Sequence, residues 1–129
     1  MPGKILVVED NELNRKLIVA VLTYHGYKTL EAGDGAEGVR IAGEHTPDLI
    51  LMDIQMPVMD GITAINILKN APKTKGIRVI ALTSFAMRGD KERFTEAGFV
   101  DYIAKPINTR KLPVIVKRYI ERLGKAFEN

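Results

Sequence analysis

The chain is predicted to fold as a three-layer α/β sandwich around a doubly wound, five-stranded parallel sheet. Three observations predict it. Short runs rich in Val, Ile and Leu recur along the chain (Ile5-Leu-Val-Val8, Leu49-Ile-Leu-Met52, Val79-Ile-Ala-Leu82), as in parallel strands buried on both faces. Between them lie longer amphipathic stretches, so that strand-like and helix-like segments alternate through all 129 residues. Asx and Gly residues (Asn11, Gly26, Asp34-Gly35, Asp60-Gly61, Gly98) stand at the joints, where helices are capped and closed.

The first strand is about Lys4–Val8. Asn11 caps the first helix, in which Leu13, Leu17, Val21 and Leu22 keep helical spacing and are expected to face the core, and Gly26 follows it. The second strand covers about Lys28–Glu31, and Asp34-Gly35 opens a helix that runs to about Glu44. The third strand is Leu49–Met52. Asp60-Gly61 opens the third helix, with Ile62, Ile65 and Leu68 on one face.

Arg78–Leu82 is the fourth strand. The fourth helix, Met87–Ala97, has Gly89 near its start and a thin apolar face (Met87, Phe94, Ala97), so it is expected to be the loosest. Asp101–Ala104 is the fifth strand. The last helix starts near Asn108, turns Leu112, Ile115, Val116, Tyr119 and Leu123 inward, and is expected to be irregular before Pro113. With right-handed crossovers the common strand order is 2-1-3-4-5, the flavodoxin-like arrangement.

Composition narrows the function. One domain spanning 1–129 is expected, with a single continuous core. The absence of cysteine excludes disulfides, thiolate zinc sites and cysteine nucleophiles, and suits a reducing cytoplasm. No window approaches the roughly 18 apolar residues of a membrane span, and the amino-terminal apolar run is too short for a signal peptide. His25 and His45 are too few and too poorly placed for a metal site or a catalytic triad.

The net charge is +3, with Arg110, Lys111, Lys117, Arg118, Arg122 and Lys125 gathered late in the chain. They make either a solvated helix face or a docking surface for an acidic partner. No helix-turn-helix or aromatic-interleaved basic motif marks the chain for nucleic acid.

In a doubly wound sheet, chemistry gathers at the carboxyl ends of the strands, above all where the winding reverses. Here strand one runs into Glu9-Asp10, strand three into Asp53, strand four into Thr83, and strand five into Lys105-Pro106. Taken singly, Asp53 reads as a turn or cap residue, Glu9-Asp10 as a cap for helix one, Thr83 as a turn hydroxyl and Lys105 as a surface charge. Their joint placement at four strand ends points instead to a small site for Mg²⁺ and a phosphoryl group. An acidic trio relieves its own repulsion by binding a hard cation. Asp53 can then attack phosphorus, Lys105 supplies positive charge and Thr83 a hydrogen bond. Asp60 reads as the cap of helix three.

Four segments carry a resemblance to a known family. Val7-Val-Glu-Asp-Asn11, Asp53-Ile-Gln-Met-Pro-Val-Met-Asp-Gly61, Ala81-Leu-Thr-Ser84 and Asp101-Tyr-Ile-Ala-Lys-Pro106 resemble the response-regulator receiver domain of two-component signalling over essentially the whole chain. The resemblance implies that Asp53 is a phosphoacceptor served by a phosphohistidine on a histidine kinase or histidine phosphotransfer protein. It implies that Glu9, Asp10 and the backbone carbonyl of Gln55 join Asp53 around Mg²⁺. Thr83 and Ser84 match the phosphoryl contacts, Lys105 the family's lysine, Tyr102 its aromatic switch, and Lys105-Pro106 a cis peptide. Glu stands at position 9 where Asp is more familiar, and Gln55 and Phe85 occupy positions that tune access of water.

The expected role is a phosphorylation-controlled switch, either a single-domain regulator or a receiver from a larger protein, read by a protein effector on the face of helix four, strand five and helix five. Arg88, Lys91, Lys111 and Arg118 are the expected contacts. Two rivals fare worse. A haloacid-dehalogenase-type phosphatase needs a second acid where Gln55 stands, and a flavin binder needs a phosphate loop where Glu9-Asp10-Asn11-Glu12 is acidic.

Overall fold

The computed structural model describes residues 3–84 and 90–128, with side chains as far as Glu121. In chain order it contains β1 (Lys4–Val8), α1 (Glu12–Tyr24), β2 (Lys28–Ala32), α2 (Gly35–His45), β3 (Leu49–Asp53), α3 (Gly61–Lys69), β4 (Arg78–Thr83), α4 (Asp90–Ala97), β5 (Asp101–Ala104) and α5 (Lys111–Glu128). All strand pairs are parallel and the sheet runs β2-β1-β3-β4-β5, as expected from the sequence.

The sheet builds two cores because successive side chains of a strand point to opposite faces. Leu6, Val8, Ile50, Met52, Val79 and Ala81 pack toward α2, α3 and α4, meeting Ala42, Ile65, Leu68 and Phe94. Their neighbours Ile5, Val7, Leu49, Leu51, Ile80 and Leu82 pack toward α1 and α5, meeting Ile18, Leu22, Leu112 and Val116. Burial on both faces is why these strands read as unbroken apolar runs.

The helix ends follow local chemistry. The side chains of Asn11, Asp34 and Asp60 accept from the backbone N–H groups of Asn14, Glu37 and Thr63 at 2.9, 2.8 and 2.8 Å, each filling a donor the first turn leaves open. Gly26 and Gly98 close α1 and α4 at φ of 90° and 115°.

Two expectations need correction. On α1 the inward residues are Ile18 and Leu22, with Val19 and Val21 partly covered, whereas Leu13 and Leu17 are 82% and 41% exposed. Two apolar stripes overlap on this helix, and the sheet covers only the later one. The first turn, starting just past β1, lies level with the carboxyl edge, where no strand covers Leu13. The second concerns α5. It begins at Lys111, so Pro113 falls in its first turn, where no backbone N–H is needed and the chain stays regular. The Asn108 side chain accepts from the N–H groups of Arg110 and Lys111 at 2.9 and 3.1 Å and starts the helix.

On α4, Phe94 is buried and meets Phe99 edge-on at 6.1 Å. The expected start of that helix, with Phe85, Met87, Arg88 and Gly89, lies outside the described residues, as do the side chains of Arg122, Leu123 and Lys125. No helix among the described residues is long and apolar enough to cross a membrane.

Candidate phosphoryl and metal site

The register brings the strand ends together. Val8 lies opposite Met52, so Glu9 emerges beside Asp53, the last residue of β3. Asp53 lies opposite Leu82, and Thr83 opposite Ala104. The Lys105 backbone N–H then donates to the Thr83 carbonyl at 2.8 Å, holding the lysine over the edge, and the Lys105-Pro106 peptide is cis as expected.

From there the Lys105 ammonium reaches back across the sheet. Its Nζ lies 2.7 Å from Asp53 Oδ2 and 2.9 Å from Glu9 Oε2, and donates to Glu9 Oε1 at 3.2 Å. Asp53 Oδ1 accepts from the Gln55 backbone N–H at 3.2 Å. The loop beyond closes on itself, the Gly61 N–H donating to the Ile54 carbonyl at 2.9 Å. A Cβ at Gly61 would run into the Asp53 carbonyl oxygen, so only glycine permits this close approach. In the same loop Val58 has a φ of 67° although it is β-branched and 85% exposed, a strained conformation in the segment that follows Asp53.

The electrostatics are those of a partly neutralised acid cluster. Glu9 and Asp53 are buried, Asp10 is exposed, and carboxylate oxygens of the three lie within 4.8 Å of one another. Burial raises the Asp53 pKa above 3.8, the Lys105 hydrogen bond opposes it, and the nearby Glu9 raises it again; the net shift is upward. For Lys105, burial lowers the pKa, but the bonds and charges of Asp53 and Glu9 outweigh it, and the ammonium ends above 10.5. Glu9 Oε2 is buried without a hydrogen-bond partner, its contact with Lys105 being ionic only. An all-oxygen donor set and more negative charge than Lys105 neutralises together fit a small hard cation such as Mg²⁺.

Of the residues singled out in the sequence, Glu9, Asp10, Asp53 and Lys105 converge. Thr83 is buried at the adjoining strand end and Ser84 is exposed beside it. Tyr102 stands apart from the acids. It is half-buried between β5 and α4, its ring 6.3 Å from that of Phe94. Sequence reasoning missed Arg15, which binds the Glu9 carbonyl at 2.9 Å. Its only mark in the sequence is a cation one turn into a helix that follows an acidic corner.

A five-stranded, doubly wound parallel sheet with a buried aspartate, an acidic pair and a lysine gathered at its carboxyl edge is a flavodoxin-like α/β domain with a candidate cation site. The chain belongs to the response regulator receiver domain family, whose model matches residues 5–117. It is 43% identical to the polar-differentiation response regulator DivK of Brucella anthropi, over 93% of this chain and 98% of that one. It is also similar to the receiver domain of the sensor histidine kinase PA1611 of Pseudomonas aeruginosa, solved with a magnesium ion coordinated in its active-site cleft. That match has a TM-score of 0.85 and 38% identity, covering 94% of this chain and 99% of that one. The chemotaxis protein CheY4 of Vibrio cholerae matches with a TM-score of 0.86 and 26% identity over 92% and 99% of the two chains. The protein is therefore a phosphorylation-controlled signalling switch of two-component systems. The rival phosphatase reading finds no support in these matches.

Proposed function

We propose that Asp53 is the phosphoacceptor and that a histidine kinase or histidine phosphotransfer protein is the donor. An Asp53 carboxylate oxygen attacks phosphorus, the phosphorus–nitrogen bond of the phosphohistidine breaks, and its electron pair returns to the imidazole. The observation that carries this is the acceptor's setting. Asp53 is oriented by the Gln55 N–H on one oxygen and the Lys105 ammonium on the other, at a strand end beside two further acids. Phosphoryl transfer needs chiefly positioning and charge neutralisation.

Lys105 neutralises charge gathering on the phosphoryl oxygens, and Thr83 and Ser84 contact the same group. Glu9, Asp10, Asp53 and the Gln55 carbonyl hold Mg²⁺, which when bound supplies further positive charge to those oxygens. A magnesium ion in the cleft of the Pseudomonas relative supports that assignment. The protein performs this chemistry on itself, with slow self-dephosphorylation, rather than turning over a substrate, and it works in the cytoplasm.

Output passes through the face formed by α4, β5 and α5. A groove of about 520 Å³ on that face is lined by Lys91, Asp101, Tyr102, Lys111, Val114 and Arg118; Arg88 lies outside the described residues. Tyr102 supports a switch there, since it lies between the strand end and α4. Phosphorylation draws Thr83 toward the site and Tyr102 turns further inward, a shift bounded by how differently the phosphoryl group interacts with the two states. The test is amide chemical-shift mapping on addition of beryllofluoride and Mg²⁺. Changes are expected around Asp53 and along α4, β5 and α5. Changes confined to the acids, or falling on α1 and α2, would overturn the assignment of the face.

A further inference from the structure

We propose that Arg15 is a positioning residue for the acidic corner. It acts on metal binding through the backbone of Glu9 rather than by touching the metal or the phosphoryl group. The inference rests on the metal-binding reading above and adds to it a residue outside the acid cluster.

The strand ladder stops short of the acids. β1 ends at Val8, and beyond it the Glu9 N–H still donates to the Ala32 carbonyl at 3.0 Å. Among the described residues the Glu9 carbonyl has no strand partner. It accepts instead from Arg15 Nη1 at 2.9 Å, from one turn inside α1. Arg15 is itself fixed, its Nε donating to Glu31 Oε1 on β2 at 3.0 Å. Three elements are thus joined at the corner by one planar guanidinium, whose fork can serve a carboxylate and a carbonyl together.

The bonded carbonyl belongs to the peptide that joins Glu9 to Asp10. A peptide is planar, so fixing that oxygen also fixes the Asp10 N–H and Cα in the same plane. Asp10 is exposed, so no packing fixes its carboxylate and the backbone sets its direction. The Glu9 side chain, by contrast, has Lys105 to hold it. Releasing the peptide therefore frees Asp10 more than Glu9. Groups that orient metal ligands from behind are commonly worth about 10-fold or more in affinity when removed.

The test compares Arg15→Ala, Arg15→Lys, Glu31→Ala and Glu31→Gln with the parent. One readout is Mg²⁺ affinity of the unphosphorylated protein, from the amide shifts of Asp10 and Asp53. The other is the Mg²⁺ dependence of phosphorylation by acetyl phosphate. Arg15→Ala is expected to weaken Mg²⁺ about 10-fold and to raise the half-saturating Mg²⁺ for phosphorylation, with most of the rate recovered at high Mg²⁺. Arg15→Lys should restore little, because the guanidinium reaches its two partners with separate Nε and Nη1 donors in a fixed planar fork, which a lysine's compact point charge does not reproduce. Glu31→Gln should be nearly silent, since its amide oxygen still accepts, and Glu31→Ala should fall between. If Arg15→Ala does not fold, Arg15→Lys and Glu31→Ala carry the comparison. Folded Arg15 variants that bind Mg²⁺ as the parent does, or that are slowed equally at every Mg²⁺ concentration, would overturn the proposal. A parent that shows no Mg²⁺-dependent labelling would instead overturn the proposed function.

Discussion

Asp53→Asn will take up no phosphoryl group and, in the presence of a chelator at neutral pH, will unfold at a higher denaturant concentration than the parent. The amide keeps the shape of the side chain, and its single oxygen can accept from either the Gln55 N–H or Lys105, which bond to different oxygens of the carboxylate. What it loses is the nucleophile and one of three crowded carboxylates. Because the folded-state pKa of Asp53 is raised, its contribution to stability is fully present below 3.8 and is lost as pH rises through the higher folded value. The variant has no such loss. Its advantage should be on the order of 1 kcal/mol at neutral pH, the size of one screened like-charge contact after the lost Lys105 attraction is set against it. The advantage should shrink toward zero as the parent protonates in acid. Urea midpoints across pH check this. A variant less stable than the parent at neutral pH would show that the Lys105 pair outweighs burial and repulsion.

The opposite sign is expected at the other end of the contact. Lys105→Met removes the cation that lies against both Glu9 and Asp53 and leaves two buried carboxylates facing each other. Breaking a buried pair on one side costs about 3–5 kcal/mol, because a charge is left uncompensated. The loss should be largest at neutral pH in chelator. It should diminish on acidification as the acids protonate, and on adding Mg²⁺, which replaces part of the missing charge. The Lys105 pKa is raised, so in the parent its stabilisation is full below 10.5 and fades as pH climbs through the folded value. Denaturation with and without Mg²⁺ measures the difference. A variant as stable as the parent in chelator would mean the acid cluster is well solvated, contrary to its burial.

The fold was legible because parallel strands buried on both faces leave short apolar runs that recur between helix-like stretches with their own caps, although α1 holds an equally unbroken run at Leu17–Leu22. The site was legible for a related reason. The sheet gathers its carboxyl ends, so residues far apart in sequence, Glu9, Asp53 and Lys105, meet once the strands are placed. What escaped depends on facts a linear pattern does not hold. On α1, two stripes share helical spacing, and only the limits of the sheet decide that Ile18 is buried and Leu13 is not. Pro113 looked disruptive until Asn108 placed the start of the helix three residues later. Arg15 acts on a backbone carbonyl, and a carbonyl leaves no mark in a sequence. The Lys105 contact with Glu9 likewise depends on where two side chains point, which the sequence does not show.

The central claim is that Asp53 accepts one phosphoryl group in a reaction that needs Mg²⁺, and intact-protein mass measurement followed by peptide mapping tests it most directly. After incubation with acetyl phosphate and Mg²⁺, the account predicts a single added phosphoryl group, stable in acid, lost in base, confined to the peptide containing Asp53, and absent when chelator replaces the metal. Label on any other residue, or equal labelling in chelator, would contradict it.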